Sequence, residues 1–428
     1  MPEDSWSGGS RAATRRRFFG AGAALAAGAA GLTKPGRAAA EPASNLPPAI
    51  PAWQRQPGAE VMTPPYGVPS PFEAKVVRRL RAGGVQTPTR LASASVTPLQ
   101  DLCGIITPNG LHFERHHAGV PAIDPDQHRL VVHGLVERAM IFTMADLTRF
   151  PSVSRIHFLE CAGNSPWAAE SKPHLTAQDT HGLLSCCEWT GVPLATVLAE
   201  AGIRPEARWL LAEGGDAAAM TRSIPIEKAL DDALLAYAQN GERLRPEQGY
   251  PVRLLLPGYE GNTSVKWLRR IKLGTAPYQT REETAQYTMI MPDGTIRQFN
   301  FVMEAKSVIT FPSGSQQLQQ PGFLEISGLA WSGSGKVVRV EVSVDGGTGW
   351  QDAALQEPIL SKCLTRFRFP WHWDGGPAVL ASRATDEAGY VQPSRAALLR
   401  LRDARSYYHN NAIQSWRVAA DGAVTNAG

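Results

Sequence analysis

Between Leu102 and Leu273 the chain interleaves short apolar runs of strand length with stretches of helical spacing. Arg129 to Gly134 reads as a strand entering a turn, and Trp209 to Ala212 and Pro251 to Leu256 are further strand-length runs bounded by Gly or Pro. Met144 to Phe150 and Pro193 to Ala201 read as short helices, the second stopped by Gly202. Beyond the Gly/Ser/Gln-rich stretch Ser313 to Gln320 the texture changes. Phe323 to Gly328 and Val337 to Val344 alternate apolar and polar residues, the latter leading into the turn Asp345-Gly346-Gly347, and Trp371 to Trp373 and Ala378 to Thr385 continue short strands at turn spacing. The pattern predicts an α+β domain over 101–300, followed by an all-β sandwich of immunoglobulin type over 301–418. Residues 41–100 are rich in Pro and Ala, with one helix-like stretch from Phe72 to Arg81, and read as a wrapping arm.

Length agrees, because 428 residues exceed what one hydrophobic core usually organises. The net charge of +4 is spread along the chain without Lys/Arg runs, so no nucleic-acid partner is expected. At the start, Arg15-Arg16-Arg17-Phe18-Phe19 precedes an apolar, Ala-rich run from Gly20 to Leu32 and the small-residue site Ala38-Ala39-Ala40. Residues 1–40 therefore read as a cleaved twin-arginine export signal, too short in its apolar part for a membrane span of roughly 20 residues. A folded, periplasmic protein carrying a cofactor inserted before export is expected.

Five cysteines occur, so at least one lacks a disulfide partner, and no Cys-x-x-Cys is present. The usual zinc-ribbon, iron–sulfur and c-type haem attachment signatures are thus missing, and no haem is expected on this chain. Cys161 follows the apolar run Ile156 to Leu159 at a corner made tight by Gly163. A thiolate there suits a soft transition metal, although a cysteine in such a place can equally be an inert small hydrophobe. Phe113-Glu114-Arg115-His116-His117 gathers a guanidinium and two imidazoles. Adjacent histidines on a strand face opposite ways and make a poor pair for one metal, whereas Arg115 offers planar recognition of an oxyanion. Gly249 to Arg253 and Gly258 to Trp267 bring Gly-rich loops together with Arg253 and Lys266, which could cradle a phosphate or could be surface charge.

The order of these pieces carries a resemblance. Arg115 and His117, Cys161 in Cys-Ala-Gly-Asn, Asp216 in Glu-Gly-Gly-Asp, Pro251-Val252-Arg253 and Ser264-Val265-Lys266-Trp267, followed by Val-Glu-Val-Ser-Val-Asp-Gly-Gly at 340–347, together resemble the molybdopterin and dimerisation domains of the sulfite oxidase family. Within it, the segments around Tyr287, Phe301 to Val308 and Ala412 to Trp416 look most like the molybdenum subunit of sulfane dehydrogenases of thiosulfate oxidation. The resemblance implies that Cys161 ligates the molybdenum, and that Arg115 faces both cofactor and anionic substrate. It also implies that Tyr287 donates a hydrogen bond near the reacting oxygen, and that Phe113, His116, His117, Asp216, Gln248, Arg253, Ser264, Val265 and Lys266 line the pterin and its phosphate. Two positions depart from the family's pattern: Ser165 stands where sulfite oxidases have an arginine, and Gln248 where they have a histidine. The lost cation disfavours small free sulfite and favours a sulfane presented by a sulfur-carrier protein. By the same resemblance electrons pass to a c-type cytochrome subunit, and two copies of this chain pair within a heterotetramer. A periplasmic sulfite dehydrogenase, a sulfoxide reductase and an exported non-enzymatic binding protein are the alternatives.

Overall fold

The computed structural model describes residues 68–80, 91–166 and 172–428. The export signal expected at 1–40, and the arm as far as residue 67, lie outside the described residues. Two five-stranded sheets organise the first half. One runs Glu242–Arg243, Leu234–Gln239, Leu184–Pro193, Val153–Glu160, with Arg253–Leu255 also paired to Leu234–Gln239. The other runs Met140–Phe142, Leu130–Gly134, Leu268–Gly274, Trp209–Gly214, Thr221–Pro225, and its pairing of Leu130–Gly134 with Leu268–Gly274 is parallel. Gly134 is obligatory there, since its φ is +91° and a Cβ would lie 2.3 Å from the Leu273 carbonyl oxygen.

The helix Leu194–Ala201 follows its sequence pattern. Its buried residues Leu194, Val197, Leu198 and Ala201 recur at helical spacing, and Gly202 ends it with a φ of +73°. The second half is a sandwich of a four-stranded and a five-stranded sheet. In Thr365–Trp373 the side chains of Phe367, Phe369, Trp371 and Trp373 turn inward while Arg368 and His372 face out, the alternation expected of a half-buried strand. Phe158 and Cys186 of the first half share one hydrophobic cluster with Trp331, Cys363 and Leu364 of the second, so the core is continuous between them. Cys103, Cys186, Cys187 and Cys363 are free thiols, with Cys186 and Cys363 in buried contact at 3.4 Å between sulfurs.

Two expectations need correction. Of the helix-like stretch Phe72 to Arg81, the described part to Leu80 is not an α-helix: a 3-10 turn spans Pro71–Glu73, and Arg79–Leu80 pairs as a strand with Ser95 and Val96. Phe72, Val77 and Leu80 are exposed, so a helix here would have no face to bury, and short helices without tertiary packing are marginal. Nor is residue 41–100 wholly an arm. Ser93–Val96 pairs with Glu114–His116, and Ala94, Val96 and Leu99 are buried in the core.

Candidate active site

All twelve residues selected from the sequence line one cavity: Phe113, Arg115, His116, His117, Cys161, Asp216, Gln248, Arg253, Ser264, Val265, Lys266 and Tyr287. Their placement follows from the strands that end there. Val153–Glu160 delivers Cys161 at its last step, where the Cys161 amide donates to the Leu183 carbonyl (3.0 Å) and its carbonyl accepts from the Asn164 amide (2.9 Å). Gly261 lets the neighbouring turn close on this corner, since a Cβ there would meet the Glu160 carbonyl oxygen at 2.7 Å. Beneath the corner, the buried Glu160 carboxylate accepts from Lys306 Nζ (2.8 Å), Trp331 Nε1 (2.6 Å) and Asn164 Nδ2 (3.0 Å). Two of these donors belong to the sandwich half.

Arg115 sits on Glu114–His116, and its guanidinium donates to the main-chain carbonyls of Ser93 and His116. Arg253 donates to the carbonyls of Gln248 (3.0 Å) and Ser264 (2.7 Å) and lies 5.2 Å over the Trp189 ring. Lys266 Nζ reaches the carbonyls of Arg115 (3.2 Å) and Glu247 (3.0 Å) and His116 Nδ1 (3.1 Å). Burial first, and then the nearby Arg253, pushes the Lys266 ammonium well below its ordinary pKa. Among the described residues none of these three cations forms an ion pair with a carboxylate. Buried positive charge without a counterion is costly, and a bound anion such as a phosphate relieves it.

Gln248, one of the two departures, is buried and donates to the Phe113 carbonyl at 3.1 Å, holding that strand. Ser165, the other, is also buried; its carbonyl accepts from Asn410 Nδ2 (2.8 Å), and no cation stands there. Tyr287 is buried, and that burial followed by the proximity of Cys161 raises its phenol above the ordinary value, so it stays a protonated donor at neutral pH. Its ring stands 4.9 Å from that of Tyr408, whose hydroxyl donates to Gln286 at 2.8 Å.

Sequence reasoning missed His112, Met220, Asn262 and Trp267, which also line the cavity, and the segment Tyr407–Asn410. That segment crosses from the sandwich half: the His409 amide donates to Ala162 (2.9 Å), and the Tyr407 ring packs on Gly163. His112, directly before Phe113, could have been read with its neighbours, but nothing local marks residues so far along the chain as partners of Cys161.

The site suits a pterin-bound metal. His112 is fully enclosed, its Nδ1 faces the Phe113 carbonyl (2.8 Å), and its Nε2 has no hydrogen-bond partner, leaving one polar atom for a ligand in the cavity. Among the described residues no cluster of three or more His, Cys, Asp or Glu could hold a metal. A metal on Cys161 would take its remaining ligands from an organic cofactor.

Burial holds the imidazole of His112, and burial followed by Lys266 that of His116, down to about 3, while His157 is lowered to about 4, again mainly by burial. The unfolded chain takes up protons at these rings near pH 6.5 while the folded chain does not, so stability is full above that pH and falls as pH drops toward 3. A lower urea midpoint at pH 5 than at pH 7.5 is the expected result; equal midpoints would show that these histidines are not buried as neutral rings.

The family described as oxidoreductase molybdopterin binding domain matches residues 117–282, and the Mo-co oxidoreductase dimerisation domain matches 297–416. The chain is 35% identical over 273 residues to mitochondrial sulfite oxidase of Mus musculus, covering 59% of this chain and 50% of that protein. It is 36% identical over 320 residues to sulfite oxidase of Gallus gallus, covering 68% of this chain and 69% of that protein. The crystal structure of the sulfane dehydrogenase SoxCD from Paracoccus pantotrophus superposes with a TM-score of 0.85 at 46% identity, over 89% of this chain and 97% of that one. The chain thus spans about half the length of the mouse relative. Fold and cavity together define a molybdopterin-binding oxidoreductase. More narrowly, this chain belongs to the sulfite oxidase family.

Proposed function

We propose that this protein is the molybdenum subunit of a sulfane dehydrogenase, oxidising the terminal sulfur of a carrier-bound persulfide to a sulfonate. The observation that carries the reading is a thiol-bearing corner, Cys161, in one cavity with Arg115, Arg253 and Lys266, which among the described residues lack carboxylate partners, and with no cation at position 165. The overall likeness to SoxCD supports it. When bound, the molybdenum–pterin group supplies oxygen-atom transfer to sulfur, two electrons at a time. Converting a persulfide R–S–S⁻ to R–S–SO₃⁻ takes its oxygens from three waters and releases six electrons and six protons, which go to a c-type cytochrome and to solvent.

The chain's own groups divide the work. Arg253 and Lys266 hold the cofactor's phosphate, with Ser264, Asp216, His116 and His117 beside it, and Phe113, Val265 and Gln248 shape the wall. Arg115 stabilises the charge that gathers on sulfur as it gains oxygen. Tyr287, kept protonated, would donate a hydrogen bond near the reacting oxygen. The twin-arginine pattern at Arg15-Arg16-Arg17 supports export to the periplasm, and the dimerisation domain pairs two copies, each with its cytochrome.

An Arg115→Gln variant should lose about 10²–10³ in kcat/KM, the usual cost of one preorganised donor, with metal content kept. Purified enzyme should reduce cytochrome c with a persulfide far faster than with sulfite; the reverse preference would make it a sulfite dehydrogenase, the reading favoured by the identity to sulfite oxidases. Purified protein devoid of molybdenum would leave only a binding role.

A further inference from the structure

The cavity adjoins a second chamber that shares Arg115, His117, Met220 and Tyr287 with it and adds Ala218, Arg281, Glu282 and Gln286. The other cations nearby already have partners or roles. Arg222 is fully buried on Glu260 (2.9 Å) and Asn262, and Arg253 and Lys266 are assigned above to the cofactor's phosphate. Arg281 differs in its exposure: its side chain is 71% exposed, and among the described residues its ion pair is with Glu282 at 3.2 Å, a surface pair of the kind worth little.

Its mount is nevertheless rigid. Glu283 accepts from the Thr280 amide (3.0 Å) and from the Ser223 hydroxyl (2.9 Å), and Thr280 Oγ1 donates to the Thr221 carbonyl (3.0 Å), which ties the turn carrying Arg281 to the strand Thr221–Pro225. His117, exposed and lining both chambers, has its imidazole pKa displaced downward, by desolvation first and then by Arg115, Lys266 and Arg281. The second chamber is thus lined by two guanidiniums, that of Arg115, shared with the inner cavity, and that of Arg281, together with the apolar side chains of Met220 and Ala218.

We infer that Arg281 is a specificity-determining residue: it binds a carboxylate on an organic persulfide whose terminal sulfur lies at Arg115, while the carbon chain between the two crosses Met220 and Ala218. A persulfide lacking that carboxylate engages only the inner guanidinium. This assignment rests on the function proposed above and adds what the substrate must carry away from its sulfur.

Two persulfides of one reactive group separate the effects: glutathione persulfide, which has carboxylates, and 2-mercaptoethanol persulfide, which has none. With ferricyanide as acceptor, Arg281→Gln should raise KM about tenfold for glutathione persulfide, the worth of one partly exposed charge-assisted hydrogen bond, with kcat within about twofold. KM for the uncharged persulfide should stay within about twofold, and Arg281→Lys should recover most of the loss. Equal changes in KM for both persulfides, or none for either, would overturn the assignment while leaving the proposed function standing. A wild-type enzyme that oxidises sulfite but neither persulfide would overturn the function, and this assignment with it.

Discussion

Changing Cys161 to serine should leave a folded protein whose turnover falls by far more than about 100-fold. Groups one shell away from a bound metal are commonly worth about 10–100-fold, and a direct ligand should exceed them. Serine offers a hard, protonated oxygen where a soft thiolate donates strongly, so the metal loses the ligand that suits it. The fold should survive, because the hydrogen bonds that set this corner use the main chain of residue 161, from its amide to Leu183 and from Asn164 to its carbonyl, and serine keeps both. Turnover with ferricyanide, read beside the circular dichroism spectrum and urea midpoint, checks the two halves of this expectation. Activity within tenfold of wild type would mean that the thiol is only a small hydrophobe.

The second large effect concerns stability. Lys306 is 2% exposed and faces the fully buried Glu160 at 2.8 Å, bridging the sandwich half to the residue just before Cys161. Lys306→Met should cost about 3–5 kcal/mol, because it strands a carboxylate away from water with, among the described residues, Trp331 and Asn164 left to donate to it. Lys306→Met combined with Glu160→Gln should regain a large part of that loss, since neither charge then remains. Urea denaturation at pH 7 reads both variants. A Lys306→Met protein as stable as wild type would show that the pair is solvated.

The parts of the fold that the sequence makes legible are those whose pattern is local. Leu194, Val197, Leu198 and Ala201 announce their helix by spacing; the alternation ending Thr365–Trp373 announces a half-buried strand, and that of Val337–Ser343 announces a strand, although its residues 340–343 are buried on both faces. Phe72 to Arg81 misleads because its apolar residues have helical spacing but nothing to pack against, and the pairing of Arg79–Leu80 with residues 95 and 96 is invisible locally. The site divides in the same way. Arg115, Cys161, Arg253 and Lys266 stand in recognisable runs, and the strands carry them into one cavity. What the runs do not disclose is the charge balance, because whether a lysine or arginine is spent on a carbonyl, paired with a carboxylate or left for a ligand depends on partners remote in the chain. Tyr407, Tyr408 and His409 reach the Cys161 corner from almost 250 residues away, and Arg281 lines the adjoining chamber because Glu283 and Thr280 anchor its turn to Thr221–Pro225.

The central claim is a sulfur–molybdenum bond made by Cys161, and X-ray absorption at the molybdenum edge tests it most directly. Wild-type enzyme should show the dithiolene sulfurs and one further sulfur on the metal, and the Cys161→Ser protein should lose that further sulfur. The same number of sulfurs in both proteins, or no molybdenum in the purified wild type, would contradict it.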